Sequence, residues 1–244
     1  MRDTGLTGRV ALLTGASGGI GTALGRRLIA AGVTTAFAYA THADAAGTLV
    51  NEAKEAGLNA IAVPADLADP AAPAALIDTV VRALGPIDVL IPNAGLGEPC
   101  HYAEVDLAMW DRSFAVNLRA PFLLAQAVLP GMVERGFGRV LFTSSLAAFT
   151  GGIVGPHYAA AKAGLHALAH HLASRVAAAG VTVNVLAPAL IEDTRMLPPS
   201  ADRSLLPVGR FGRPEEVADL AMAMLGNGYL TSQVIGLDGG AYPR

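Results

Sequence analysis

Thr14-Gly15-Ala16-Ser17-Gly18-Gly19-Ile20-Gly21 joins the apolar run Val10–Thr14 to an amphipathic stretch near 19–31. Glycines at 15, 19 and 21 permit a tight turn, close approach of a ligand to the backbone, and close packing of a helix on the preceding strand. The helix start that follows offers free N–H groups and a favourable dipole to a phosphate. A glycine pattern alone is weak evidence. A strand before it and a helix after it are the context that a dinucleotide-binding turn requires.

Working outward, the same alternation repeats along the chain. Strand candidates are Val10–Thr14, Thr34–Tyr39, Ala60–Val63, Val89–Ile91, Val140–Thr143, Val181–Leu186 and Val234–Leu237. Helix candidates lie near 19–31, 43–56, 71–84, 107–135, 158–179 and 214–225. Short β-branched runs alternating with longer amphipathic ones predict an α/β fold: a doubly wound parallel sheet of about seven strands, with helices on both faces. No linker interrupts the pattern, so residues 1–244 read as one domain. The Pro-rich segment 188–214 reads as a loop or short flexible helices.

Of the 244 residues 52% are hydrophobic and 15% charged, which favours a compact core over disorder. A net charge of −3 argues against electrostatic capture of nucleic acid or an anionic membrane. The one cysteine, Cys100, excludes an intramolecular disulfide and fits a reducing compartment. The polar start Met1–Val10 lacks the apolar core of a signal peptide. Val140 to Ala161 carries no Asp, Glu, Lys or Arg, but its glycines and Pro156 read as a buried strand and loop rather than a membrane span. A soluble, cytoplasmic protein is expected.

Tyr158 and Lys162 stand four apart at a helix start, and Ser145 ends a strand candidate thirteen residues earlier. Residues at i and i+4 share a helix face, so the ammonium can lie near the phenol. A nearby cation is expected to lower the phenol's ordinary value of ~10 by about 1–3 units, towards a useful acid–base range. Ser145 would hold the substrate oxygen while Tyr158 exchanges its proton. His166, His170 and His171 share one helix with no Cys or carboxylate at ligand spacing, so no metal site is expected.

Taken together, the glycine turn, Ser145, Tyr158 and Lys162 resemble the short-chain dehydrogenase/reductase family over essentially the whole chain. The resemblance implies a Rossmann-type fold and an enzyme moving hydride between a nicotinamide cofactor and a carbonyl or secondary alcohol. It implies a catalytic set of Asn117, Ser145, Tyr158 and Lys162. The cofactor set it implies is Gly15, Ser17, Gly18, Gly19, Ile20 and Gly21 in the turn, then Asp66, Leu67, Asn93, Ala94 and Gly95 after later strands. Tyr158, Lys162, Pro188, Ile191 and Thr194 complete it on the nicotinamide side. Gly209 to Ala218 and Asp238-Gly239-Gly240 resemble the 3-oxoacyl-[acyl-carrier-protein] reductase branch, which implies a 3-oxoacyl thioester or similar ketone as substrate. The alternative substrate is a sugar, polyol or ring alcohol used with NAD; a catalytically silent nucleotide sensor or scaffold is the third reading. A homotetramer, or at least a homodimer, is implied. The chain departs from the family pattern at Pro92, which lacks an N–H, at Ala189 in place of glycine, and in the short 188–210 segment.

Cofactor choice is read past the second strand, which ends Phe37-Ala38-Tyr39-Ala40-Thr41-His42 with no acid before Asp44. A carboxylate there would accept the adenosine ribose hydroxyls of NAD and repel a 2′-phosphate. Its lack favours NADP over NAD. Gly18 stands where many NADP-using relatives carry a basic residue. The expectation is therefore that Ser17, Thr41, His42 and backbone N–H groups hold the phosphate without a strong cation.

Overall fold

The computed structural model describes residues 5–197 and 201–242. Its strands are β1 (Val10–Thr14), β2 (Thr34–Tyr39), β3 (Ala60–Pro64), β4 (Val89–Ile91), β5 (Gly138–Thr143), β6 (Val181–Pro188) and β7 (Val234–Leu237). They form one sheet in the order β3-β2-β1-β4-β5-β6-β7, every neighbouring pair parallel. The helices are α1 (Gly19–Ala30), α2 (Ala43–Glu55), α3 (Ala72–Leu84), α4 (Leu107–Phe114), α5 (Ala120–Glu134), α6 (Ala147–Thr150), α7 (Pro156–Val176) and α8 (Pro214–Leu225). The fold is the Rossmann-like one that the alternation predicts.

Strand side chains alternate between two apolar layers because successive Cβ atoms point to opposite faces. Ala11 and Leu13 pack with Leu24, Leu28, Leu49 and Val217 of α1, α2 and α8. Leu12 faces the other way, into Leu76, Leu124 and Leu165 of α3, α5 and α7. With helices on both sides, a central strand has no solvent face, and all eight residues of β6 are buried. That is why the strands read as continuous apolar runs rather than as alternating ones.

Several boundaries differ from the sequence reading by a few residues. α7 begins at Pro156 rather than at Tyr158; proline suits a first helical turn, whose N–H groups lack intrahelical partners. β5 starts at Gly138, and β6 runs on to Pro188. The predicted single helix over 107–135 is divided by a π-helical turn, Ala115–Arg119. The segment after β6 is a loop as expected, pinned by a bridge between Ile191 and Gly212 and by one 3₁₀ turn, Arg203–Leu205.

The chain runs outward from β1 to β3, then returns to lay β4 on β1's other side. The connections leaving β1 and β4 therefore part at their carboxyl ends and open a crevice there.

Candidate active site

The glycine turn forms one wall of that crevice. Gly15 has φ +66°, and a Cβ on it would come within 2.8 Å of the Ala94 backbone. A Cβ on Gly19 would meet the Asp193 carbonyl, and one on Gly21 would meet the Gly15 carbonyl. Only glycine fits where strand, turn and loop come this close. Thr14 anchors the turn from below: its buried Oγ1 accepts hydrogen bonds from the backbone N–H groups of Asn93 (3.1 Å) and Ala94 (3.0 Å). The Asn93 side chain in turn donates to the carbonyls of Thr14 (3.2 Å) and Gly15 (3.3 Å). It thus holds the turn in place while also lining the crevice.

The resulting cleft has a volume of about 400 Å³. Gly15, Ser17, Gly18, Gly19, Ile20 and Gly21 line one side, and Asp66, Leu67, Asn93, Ala94 and Gly95 line another. Thr41 closes the end past β2, and Ser17 Oγ donates to its carbonyl at 2.9 Å. Thr194 reaches the cleft from the loop after β6, its hydroxyl bonded to the Ile191 carbonyl at 2.7 Å. A cleft of this length, with glycine backbone at a helix start, fits a dinucleotide.

Five residues expected in this set stand off the cleft wall: Tyr158 and Lys162, described below, and His42, Pro188 and Ile191. His42 caps α2 in a left-handed conformation (φ 59°) and is exposed. Pro188 is buried at the end of β6, its carbonyl accepting from Leu146 N–H at 2.9 Å. Ile191 is buried in the layer shared with α8. Conversely, Arg112, Arg195 and Met196 line the cleft without having been singled out. Arg195 is the notable one: Nη1 lies 3.3 Å from Thr41 Oγ1, across 154 residues of sequence. No local signal links the two.

At the base of the crevice Ser145, Tyr158 and Lys162 come together. Tyr158 is 4% exposed and Lys162 is 3% exposed, and Ser145 hydrogen-bonds to the phenol. The Lys162 Nζ donates to the Thr143 carbonyl at 2.8 Å and lies 5.8 Å from the centre of the Tyr158 ring. Gly95 and Met196, both on the cleft wall, connect this group to the cleft. A Cβ on Gly95 would lie 3.3 Å from Lys162 Nζ, and Met196 packs against Tyr158 and Val154.

The electrostatics differ from the expectation that Lys162 lowers the phenol. Burial dominates and pushes Tyr158 up to about 12, with the Ser145 hydrogen bond opposing it. Burial also brings Lys162 down to about 8. The phenol is therefore a proton donor at neutral pH rather than a ready base.

Asn117 is fully buried on the π-helical turn. Its amide nitrogen donates to the Leu96 carbonyl (2.8 Å) and to Ser113 Oγ (3.1 Å), while its oxygen accepts from Leu96 N–H (3.0 Å). These bonds tie the loop segment following Gly95 to the helix. A widened turn of this kind re-aims side chains, and such turns recur at functional sites.

Residues 9–204 match the short chain dehydrogenase family. A 3-oxoacyl-[acyl-carrier-protein] reductase of Synechocystis sp. is 36% identical over 242 residues, spanning 97% of this chain and 98% of that protein. A 2-dehydro-3-deoxy-D-gluconate 5-dehydrogenase of Pseudoalteromonas atlantica is 34% identical, spanning 96% of each. Among solved structures, a blue fluorescent protein from a metagenomic library in complex with NADPH superposes with a TM-score of 0.91. It is 35% identical and covers 98% of this chain and 99% of its own.

Proposed function

The chain belongs to the short-chain dehydrogenase/reductase family of oxidoreductases, and from that premise we propose that it is an NADP(H)-dependent reductase of 3-oxoacyl thioesters or close β-keto analogues. One unit, residues 1–244, would hold both cofactor and substrate. The observation that carries this reading is the placement of buried Tyr158 and Lys162 beside Ser145, next to the glycine-lined cleft.

When bound, the reduced nicotinamide supplies the hydride that adds to the substrate's carbonyl carbon. Ser145 donates a hydrogen bond to the carbonyl oxygen as negative charge develops there. Tyr158 then gives its proton to that oxygen, so the C=O pair ends as an O–H bond. Lys162, held by the Thr143 carbonyl, keeps a positive charge near the phenolate that this leaves. Asn117 keeps Leu96 and Gly95 in place beside the lysine. The glycine turn, Ala94 and Thr194 would cradle the cofactor, with Asp66 and Leu67 on its adenine side.

Support for NADP comes from the end of β2, where the cleft is lined by Tyr39, Ala40 and Thr41 and by no carboxylate. Two solved relatives are complexes with NADPH or NADP. Support for the thioester comes from the Synechocystis relative and from the segment Gly209–Ala218.

The test is kcat/KM for acetoacetyl thioesters against a panel of sugar and ring ketones, with NADPH and with NADH. At least tenfold preference for NADPH, with turnover of the thioester above the other ketones, is expected. A tenfold preference for NADH, about 1.4 kcal/mol the other way, would overturn the cofactor assignment. Thioester turnover at background beside good turnover of another ketone would end the substrate assignment.

We further propose a homotetramer, or at least a dimer, built through α5 and α7. Leu118, Phe122 and Leu168 line a shallow apolar hollow between these helices, floored by Gly164. The sheet can cover only one side of each helix, so a second copy would cover the other. Light scattering should give two or four times the 24.8 kDa protomer mass at micromolar concentration. A monomer under those conditions would refute it.

A further inference from the structure

We propose that Arg195, on the loop after β6, is the residue that selects NADP by binding the adenosine 2′-phosphate. This inference rests on the NADP reading given above.

Past β2 the cleft wall carries hydroxyl and backbone groups but no lysine or arginine from its own neighbourhood in sequence. Arg195 supplies the missing cation from across the fold. Its side chain lines the cleft and lies 3.3 Å from Thr41 Oγ1, at the adenosine-ribose end rather than the pyrophosphate end. Thr41 is itself tied to the glycine turn through Ser17.

The other arginine on the cleft wall, Arg112, stands 3.9 Å from the Glu98 carboxylate. Among the described residues Arg195 has no carboxylate within 4.0 Å. A guanidinium without an acidic partner, steered by a threonine hydroxyl, suits a phosphate monoester: the fork can take two of its oxygens while Thr41 Oγ donates to a third.

The loop geometry holds Arg195 there. Asp193 adopts φ +55°, which turns its carbonyl down onto Gly19. Thr194 bonds back to Ile191, and Met196 seats against Tyr158. Arg195 is thus presented between two anchored neighbours.

The test is calorimetric titration of NADP+ and NAD+ into the wild type, Arg195→Gln and Arg195→Lys. Each is repeated at low and near-physiological salt, with adenosine 2′,5′-bisphosphate and 5′-AMP as minimal probes. Arg195 is exposed, so the variants should fold like the wild type. Arg195→Gln is expected to weaken NADP+ and the bisphosphate about tenfold or more and to leave NAD+ and 5′-AMP within about twofold. Arg195→Lys should lie between, because a point charge keeps the attraction without the fork. The salt dependence of NADP+ affinity should shrink in Arg195→Gln.

Equal weakening of both cofactors would assign Arg195 to the pyrophosphate and overturn the proposal. So would a wild type that prefers NADP+ together with an unchanged ratio in Arg195→Gln, which would leave the NADP reading standing. A wild type that binds NAD+ more tightly would overturn that reading and this inference with it.

Discussion

Tyr158→Phe is expected to lower kcat by about a hundredfold or more, the usual contribution of a positioned proton donor. The dissociation constant for NADP+ should stay within about threefold of the wild type. The ring is 4% exposed and packs with Ala147, Val154 and Met196, so phenylalanine fills the same volume and only the transferable proton is lost. A variant that kept more than about a tenth of kcat, a loss under ~1.4 kcal/mol, would remove Tyr158 from the mechanism.

The pH profile reads the neighbouring lysine instead. With its phenol at about 12, Tyr158 stays protonated across the working range and imposes no limb of its own. Lys162, brought down to about 8, loses its charge as pH rises through that value. Reduction should therefore fall above pH 8, and this limb should flatten in the residual activity of Tyr158→Phe, which forms no phenolate for the lysine to stabilise. The folded value of Lys162 lies below the ordinary 10.5, so the unfolded chain binds more protons between those values. This group's contribution to stability accordingly rises with pH from about 8 to 10.5, opposite in sign to the activity limb.

Gly21→Ala should abolish most dinucleotide binding, weakening NADP+ by at least about tenfold, and should destabilise the fold by about 1–3 kcal/mol. A Cβ there would run into the Gly15 carbonyl and come within 2.9 Å of Ala16 Cα. Both obstacles are backbone, so no side chain can swing aside. The turn would have to open, and its N–H groups would leave the cleft. For a chain of this size the melting temperature should fall by several degrees. Gly47→Ala is the control: it lies inside α2 with nothing within 4 Å of the added carbon. It should stabilise the protein by about 0.5–1 kcal/mol and leave binding unchanged. A Gly21→Ala protein that melted and bound NADP+ like the wild type would show that the turn is not closed in this way.

Much of the architecture is legible in the sequence because it depends on neighbours in the chain. Strand and helix periods are local, and seven apolar runs separated by helical stretches admit few arrangements other than a parallel sheet covered on both faces. The glycine turn is legible for the same reason: its spacing, strand and helix lie within about twenty residues. The i, i+4 spacing of Tyr158 and Lys162 puts them on one helix face before any tertiary contact is known.

What the sequence by itself determined, then, was the seven strands, the helices between them apart from α6 and the break within 107–135, the glycine turn and the pairing of tyrosine with lysine. The sign of the tyrosine's shift was not among these. Spacing brings a cation near, but how far each group is desolvated depends on strands and loops far away in sequence, and burial outweighs the cation. The π-helical turn was hidden too, because Asn117 widens the helix through bonds to Leu96, a residue on a separate segment. Arg195 is the extreme case. Nothing local distinguishes it from any exposed arginine. It meets Thr41 only because the returning chain lays the loop after β6 over the carboxyl end of β1 and its glycine turn, beside the end of β2. Contacts of that range are set by how the layers pack, and a local pattern carries no record of them.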